Sequence, residues 1–280
     1  MPASTEARYV LGTIEQTLGH PDRALEEYAD AATLDPGQAS YVLAQVEMQV
    51  SLGNAERALE VLQESSERLG GRPEFQAARG DVFSALKRYG EAVGSYRIAL
   101  RLSPDQADVK ELLARALFYN GAYREAEAAL ADLPVAAGSE SASGWIGRMR
   151  VDCLLALGRT AQARELLAVQ AKDAPTSAAP WIGLAKCDIL DDRLPPARRN
   201  LEQALAKSPR DGEANALLGF VLVAADRPGE AIPHLELSLK DPKLSDRAAV
   251  EKLLAQARGS LQPPAAAPVE AKPASEETPL

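Results

Sequence analysis

Two cysteines and two histidines are the side chains of this 280-residue chain best suited to chemistry, and their placement argues against most of it. Cys153 and Cys187 could in principle ligate a soft metal or act as nucleophiles, but zinc motifs place paired cysteines only a few residues apart. His20 and His234 stand near opposite ends of the chain. Neither has a nucleophile in a local pattern that would bring it within hydrogen-bond reach as a general base. The sequence has no HExxH and no glycine-rich phosphate loop. The expectation is therefore a chain that is not an enzyme, with no catalytic, cofactor-binding or metal residues and no cofactor.

Charge and hydropathy narrow the partners further. Forty acidic residues against 31 basic ones leave a formal charge of -9. That field repels phosphate backbones and anionic lipid heads, so nucleic acid is not an expected partner. The longest apolar run, from Ala216 to Ala225, is far shorter than the roughly 20 residues a membrane span requires. The first residues, "MPASTEARYVLG", lack a basic stretch followed by an apolar one. The expected location is cytoplasmic; a periplasmic or envelope-associated protein is the alternative if an upstream signal was removed.

What positions these side chains is a repeat. Alanine recurs at Ala24, Ala58, Ala92, Ala126, Ala163, Ala197 and Ala231, with steps of 34 residues and one of 37. Each period reads as two amphipathic helices, A and B, around a short polar turn such as "LGHPD" or "KRYGE". The alanine opens helix B. Twelve residues earlier, mostly small residues stand in helix A: Gly12, Val46, Gly80, Ala114, Val151, Ala185 and Gly219. Small groups at both places let the helix axes approach closely. Four residues after the alanine, Tyr28, Leu62, Tyr96, Leu130, Leu167, Leu201 and Leu235 fill the gap. Pro36, Pro104, Pro175 and Pro209 disfavour helix in the residue before them and end helix B. The two cysteines occupy equivalent places in adjacent repeats and read as small packing residues.

This pattern resembles the tetratricopeptide repeat family, of the multi-repeat bacterial type. Gly80, Phe83, Ala92, Tyr96, Ala99 and Pro104 carry the resemblance, as do Trp181, Leu184, Ala197, Ala204 and Pro209. Arg79 and Arg150 depart from it at a place usually held by leucine. The expected fold is all-α: a right-handed superhelical solenoid of seven tetratricopeptide repeats over 5–245, with the Gly/Ser-rich "AAGSESASG" loop absorbing three extra residues. A C-terminal capping helix follows over 246–260, opened by Ser245 and stopped by Gly259, and a disordered Pro/Ala/Glu-rich tail over 261–280. No cover precedes the first repeat, and Val10 and Ile14 are left exposed there; self-association or an upstream extension would cover them.

The resemblance implies a concave groove lined by helix A. Its early part carries Tyr9, Thr13, Gln16, Glu47, Asp81 and Ser84. Its later part supplies the candidate partner-binding residues Arg115, Phe118, Tyr119, Arg148, Asp152, Leu155, Ile182, Lys186, Ile189, Phe220 and Val223. Arg115, Arg148 and Lys186 could seat a carboxylate, or simply pair with Glu111 and Asp152. Phe220 and Val223 could bind a partner or pack against the cap. The Lys and Asn pattern by which some relatives hold chaperone C-termini is missing at Tyr9 and Thr13. Two functions stay open: a non-enzymatic adaptor holding a peptide or helical segment of another protein in the groove, or the regulatory or substrate-presenting part of a larger enzyme or cell-envelope assembly.

Overall fold

Helix after helix, the chain follows the period of its alanines. The computed structural model of the chain describes residues 4–133 and 140–261, and those residues form fifteen α-helices and no β-strand. The protein is an all-α repeat solenoid. It separates into two compact units, Met1–Arg159 and Thr160–Leu280. The first holds α1 (Thr5–Thr17), α2 (Pro21–Leu34), α3 (Ala39–Ser51), α4 (Ala55–Leu69), α5 (Pro73–Ala85), α6 (Tyr89–Leu102), α7 (Ala107–Tyr119), α8 (Tyr123–Ala131) and α9 (Glu140–Ala156). The second holds α10 (Thr160–Asp173), α11 (Ala179–Leu190), α12 (Leu194–Lys207), α13 (Gly212–Ala224), α14 (Pro228–Ser238) and α15 (Arg247–Ser260).

The small residue of helix A and the large one of helix B form a single contact. A Cβ added at Gly80 would lie 2.4 Å from the Tyr96 ring, one at Gly12 2.7 Å from Tyr28, and one at Gly219 2.4 Å from Leu235. The glycine is thus required where a bulky side chain of helix B lies flat across helix A. Both tyrosines face glycine, whereas Ala114 and Ala185 stand at the places matched with Leu130 and Leu201. The glycine-bearing pairs α1/α2, α5/α6 and α13/α14 are the most extensively packed of those described. The repeated alanines Ala24, Ala58, Ala92, Ala126, Ala163, Ala197 and Ala231 are all fully buried.

Each A-to-B turn uses one left-handed residue. Gly19, Gly53, Gly121 and Gly158 take φ between 68° and 79°, and Lys87, Asp192 and Asp226 take φ between 55° and 59° at the equivalent places. The hydrogen bonds are those of a Schellman motif: Gly19 N–H to Gln16 O at 3.1 Å and His20 N–H to Glu15 O at 2.9 Å, repeated in register at every one of these turns. Carbonyls orphaned at the end of helix A are satisfied by the chain's own next amides. The B-to-A stops work as the prolines imply. Asp35, Ser103 and Ser208, each just before a proline, have φ from -143° to -137° and ψ from 80° to 95°.

Three boundaries differ from expectation. Part of the "AAGSESASG" stretch is helical, since α9 begins at Glu140; its alanine and serines tolerate helix, and an acidic residue suits the helix start. Residues 134–139 lie outside the described residues, as do 262–280, which hold nearly all of the expected tail. In the cap, the side chain of Asp246, not Ser245, accepts the Ala249 amide at 3.1 Å. Gly259 lies inside α15 and does not end it. That helix buries Val250, Leu254 and Ala257 and leaves Ala249 exposed.

The residues that depart from the family pattern are accommodated individually. Arg79 sits with its guanidinium 5.4 Å from the Phe83 ring centre, and Arg88 lies over the same ring. Half-buried Arg150 donates to Glu127 at 3.1 Å. Cys153 and Cys187 are fully buried, and burial raises both thiols, that of Cys153 to about 11. Such thiols are poor nucleophiles at neutral pH.

Candidate functional site

Tyr96 links the core of the first unit to its helix-A face. Gly80 lets the ring pass across α5, so that the hydroxyl emerges beside Asp81 and Ser84. There it donates to Asp81 Oδ1 at 2.7 Å and lies 3.2 Å from Ser84 Oγ. Tyr28 repeats the arrangement two periods earlier, donating to Gln16 Oε1 at 2.7 Å.

Around this hydroxyl opens a cleft of about 400 Å³. Asp81 and Ser84 come from α5, Tyr89 and Tyr96 from α6, and Leu112, Arg115, Ala116 and Tyr119 from α7. The Tyr89 and Tyr119 rings stack with centres 5.2 Å apart, and Tyr119 remains 57% exposed. Phe118 meets Tyr119 and Tyr123 edge-on and is half-buried. Arg115 is already engaged, pairing with Glu111 at 2.6 Å and lying 4.2 Å from the centre of the Trp145 ring.

The charges that act on Asp81 are acidic. Asp81 is exposed, yet neighbouring atoms partly desolvate its carboxyl and push it above the usual carboxylate range. The Tyr96 hydrogen bond opposes that rise, and the charges of Asp108 and Glu47 reinforce it. Burial, reinforced by Asp81, likewise holds the Tyr96 phenol well above its ordinary value.

The remaining expected groove residues are dispersed. Arg148 is exposed, while Asp152 and Leu155 are half-buried on α9. In the second unit Ile182 is buried in the core, Ile189 and Val223 are half-buried against it, and Phe220 is 42% exposed. Lys186 pairs with Glu213 at 2.6 Å. Two of the three cations read as a carboxylate seat are therefore already neutralised, Arg115 by Glu111 as one reading held, Lys186 by a residue 27 positions away. Nearby, Asp188 is only 1% exposed and accepts from Arg164 at 2.6 Å and Asn200 at 2.8 Å.

At the other end of the first unit, α1 and its C-cap present Val10, Ile14 and Leu18 to solvent. Ile14 is 49% exposed, whereas its periodic equivalents Met48, Val82, Ala116, Cys153, Cys187 and Val221 are all at most 3% exposed. The histidines carry no paired chemistry. His20 Nδ1 lies 2.8 Å from Glu15, and half-buried His234 lies 2.8 Å from Asn215 Oδ1. No group of three or more His, Cys, Asp or Glu among the described residues could hold a metal ion. No helix among them is long and apolar enough to cross a membrane.

The sequence pattern marks Asp81, Ser84, Arg115 and Tyr119 as groove residues but not Tyr89, which falls in the "KRYGE" turn, or Tyr96, which reads as packing. The available signal was the Gly and Tyr pair sixteen residues apart at 12/28 and again at 80/96.

Family models for the tetratricopeptide repeat match residues 9–73 and 84–144. The chain is a tetratricopeptide repeat protein. Solved tetratricopeptide structures agree with the fold. One from Parabacteroides merdae superimposes with a TM-score of 0.65 at 14% identity, covering 91% of this chain and 98% of that one. PilW, described as a widely conserved type IV pilus biogenesis factor, gives 0.56 at 15% identity over 76% and 97%. Yeast Tom70 gives 0.51 at 14% identity over 91% of this chain and 54% of its own. Comparison with curated protein sequences gives no match. The cleft of Tyr119 and Asp81 lies within the second matched segment and the helix just before it.

Proposed function

We propose that this tetratricopeptide protein is a non-enzymatic scaffold that holds an extended or helical segment of a partner protein against the helix-A face of its first unit. The observation that carries this reading is the exposed Tyr119, stacked on Tyr89 at the mouth of the cleft. Tyrosine offers a large amphipathic contact at low entropic cost and is enriched at interfaces. A partner's side chain entering the cleft would cover that ring. The likeness to a pilus biogenesis factor is compatible with a place in an envelope assembly, as is the likeness to Tom70 with other settings.

The test is site-specific photo-crosslinking in the source cell. A photoreactive phenylalanine replaces Tyr119, or exposed Glu60 on α4 as the control. The expected result is a discrete protein adduct from position 119 and none from position 60. Adducts from position 60 alone would move the interface off the helix-A face and refute the proposal.

The half-exposed Ile14 favours a second role for the same scaffold, self-association through α1, because its six equivalents are all covered by packing. Sedimentation equilibrium of wild type and Ile14→Asp tests it: a concentration-dependent mass in the wild type is expected, and the variant should be monomeric. A monomeric wild type at all concentrations refutes it.

A further inference from the structure

We infer that the cleft between α5 and α7 seats a cationic side chain, a lysine ammonium or arginine guanidinium borne by the partner's segment, against Asp81 and the Tyr89/Tyr119 pair. The inference rests on the groove reading above and names the chemistry of what enters it.

The lining contains two charged groups, and they are not equivalent. Arg115 is engaged by Glu111 and by the face of Trp145. Asp81 accepts one hydrogen bond, from Tyr96, and makes no ion pair among the described residues. A carboxylate has about four acceptor positions, so most of Asp81's capacity is open. Its neighbours raise the demand for a cation: Glu47 and Asp108 act on Asp81 with the same sign. Crowding that desolvates the carboxylate is offset when a cation arrives, because an opposite charge favours the ionised form. An acidic segment would meet repulsion from these groups. A purely apolar one would cover Asp81 without compensating it.

Shape supports the same occupant. A tyrosine face attracts a cation within about 6 Å of its centre. The stacked pair supplies such a surface beside the carboxylate, and Leu112 and Ala116 supply an apolar strip for an aliphatic stem. Lysine and arginine combine a charged head with that stem. The cleft's volume of about 400 Å³ accommodates a single long side chain.

The experiment uses the full chain and immobilised arrays of 12-residue peptides without other charges, carrying lysine, norleucine or glutamate at the centre. We expect the lysine set to bind roughly tenfold more tightly than the norleucine set, as for hydrogen bonds to charged groups. Asp81→Asn should abolish the preference and Asp81→Glu retain it, while Asp81→Lys should transfer it to the glutamate set. Tyr119→Ala should weaken every set. Thermal melts establish that each variant is folded, and asparagine still offers Tyr96 an acceptor. Equal binding of lysine and norleucine sets, both weakened by Tyr119→Ala, overturns the cation while leaving the groove reading intact. A lysine preference that survives Asp81→Asn also overturns it. Absence of any Tyr119-dependent binding sinks both.

Discussion

Replacing Gly80 by alanine sets two effects of known sign against each other. Alanine is the better helix former by about 1 kcal/mol in a helix interior. Against this, the new Cβ would stand 2.4, 2.6 and 2.7 Å from three atoms of the Tyr96 ring, which is 1% exposed. Overpacking of this kind costs about 1–3 kcal/mol. Moving the ring also draws its hydroxyl away from Asp81, a loss of about 1 kcal/mol or more. The expected balance is a destabilisation of about 1–3 kcal/mol. Gly94→Ala is the control, since Gly94 lies in α6 and a Cβ there meets nothing within 4 Å; it should stabilise by about 0.5–1 kcal/mol. Gly80→Ala combined with Tyr96→Leu installs the residue pair found at Ala114 and Leu130. It should be more stable than the sum of the single changes by about 1 kcal/mol. Urea denaturation followed by far-ultraviolet circular dichroism supplies the midpoints. The reasoning is refuted if Gly80→Ala matches Gly94→Ala, or if the double variant is merely additive.

The left-handed turn residues give a paired test. Gly53→Ala, where φ is 79° and nothing crowds the site, should destabilise by about 1 kcal/mol. Lys87→Gly, which relieves a side chain held at φ 59°, should stabilise by about 0.5–1 kcal/mol; the same sign for both in thermal melts would discredit the backbone account. In the second unit, Asp188→Ala strips the acceptor from Asn200 and one of two from Arg164, which keeps Asp191. A loss of about 2–3 kcal/mol in urea midpoints is expected, and a loss under about 0.5 kcal/mol would show that the network is idle.

Periodicity carried most of the architecture because steric rules act locally. Alanine at the start of helix B and proline after it constrain their own neighbourhoods, so spacing alone places them. Four of the turn residues were equally legible as glycines in register, but Lys87, Asp192 and Asp226 were not. Those three adopt the left-handed conformation because the flanking helices impose it. Ser245 and Asp246 are both good capping residues, so residue type does not choose between them, and the backbone enters α15 at Asp246, with φ -119° and ψ 64°. In the site, the pairing of Arg115 with Glu111 follows from a helical turn. Lys186 with Glu213 joins different helices and has no local signal. The cleft was harder still, for it depends on Tyr96 passing through a gap that exists only because Gly80 lacks a side chain.

The matched sizes across each hairpin also bear on how such a gene can be recombined. Joining the chain from one left-handed residue to another asks nothing new of the backbone, since Gly19, Gly53 and Lys87 close the same hydrogen bonds. Side-chain volume is less forgiving. Removing residues 20–53 would set Gly12 opposite Leu62, which is shorter than a tyrosine and has no hydroxyl to offer Thr13 and Gln16. Removing residues 20–87 would set it opposite Tyr96, restoring a glycine and tyrosine pair with Thr13 and Gln16 in place to receive the hydroxyl. In this half of the protein the heritable module is therefore two repeats long, although the backbone repeats after one.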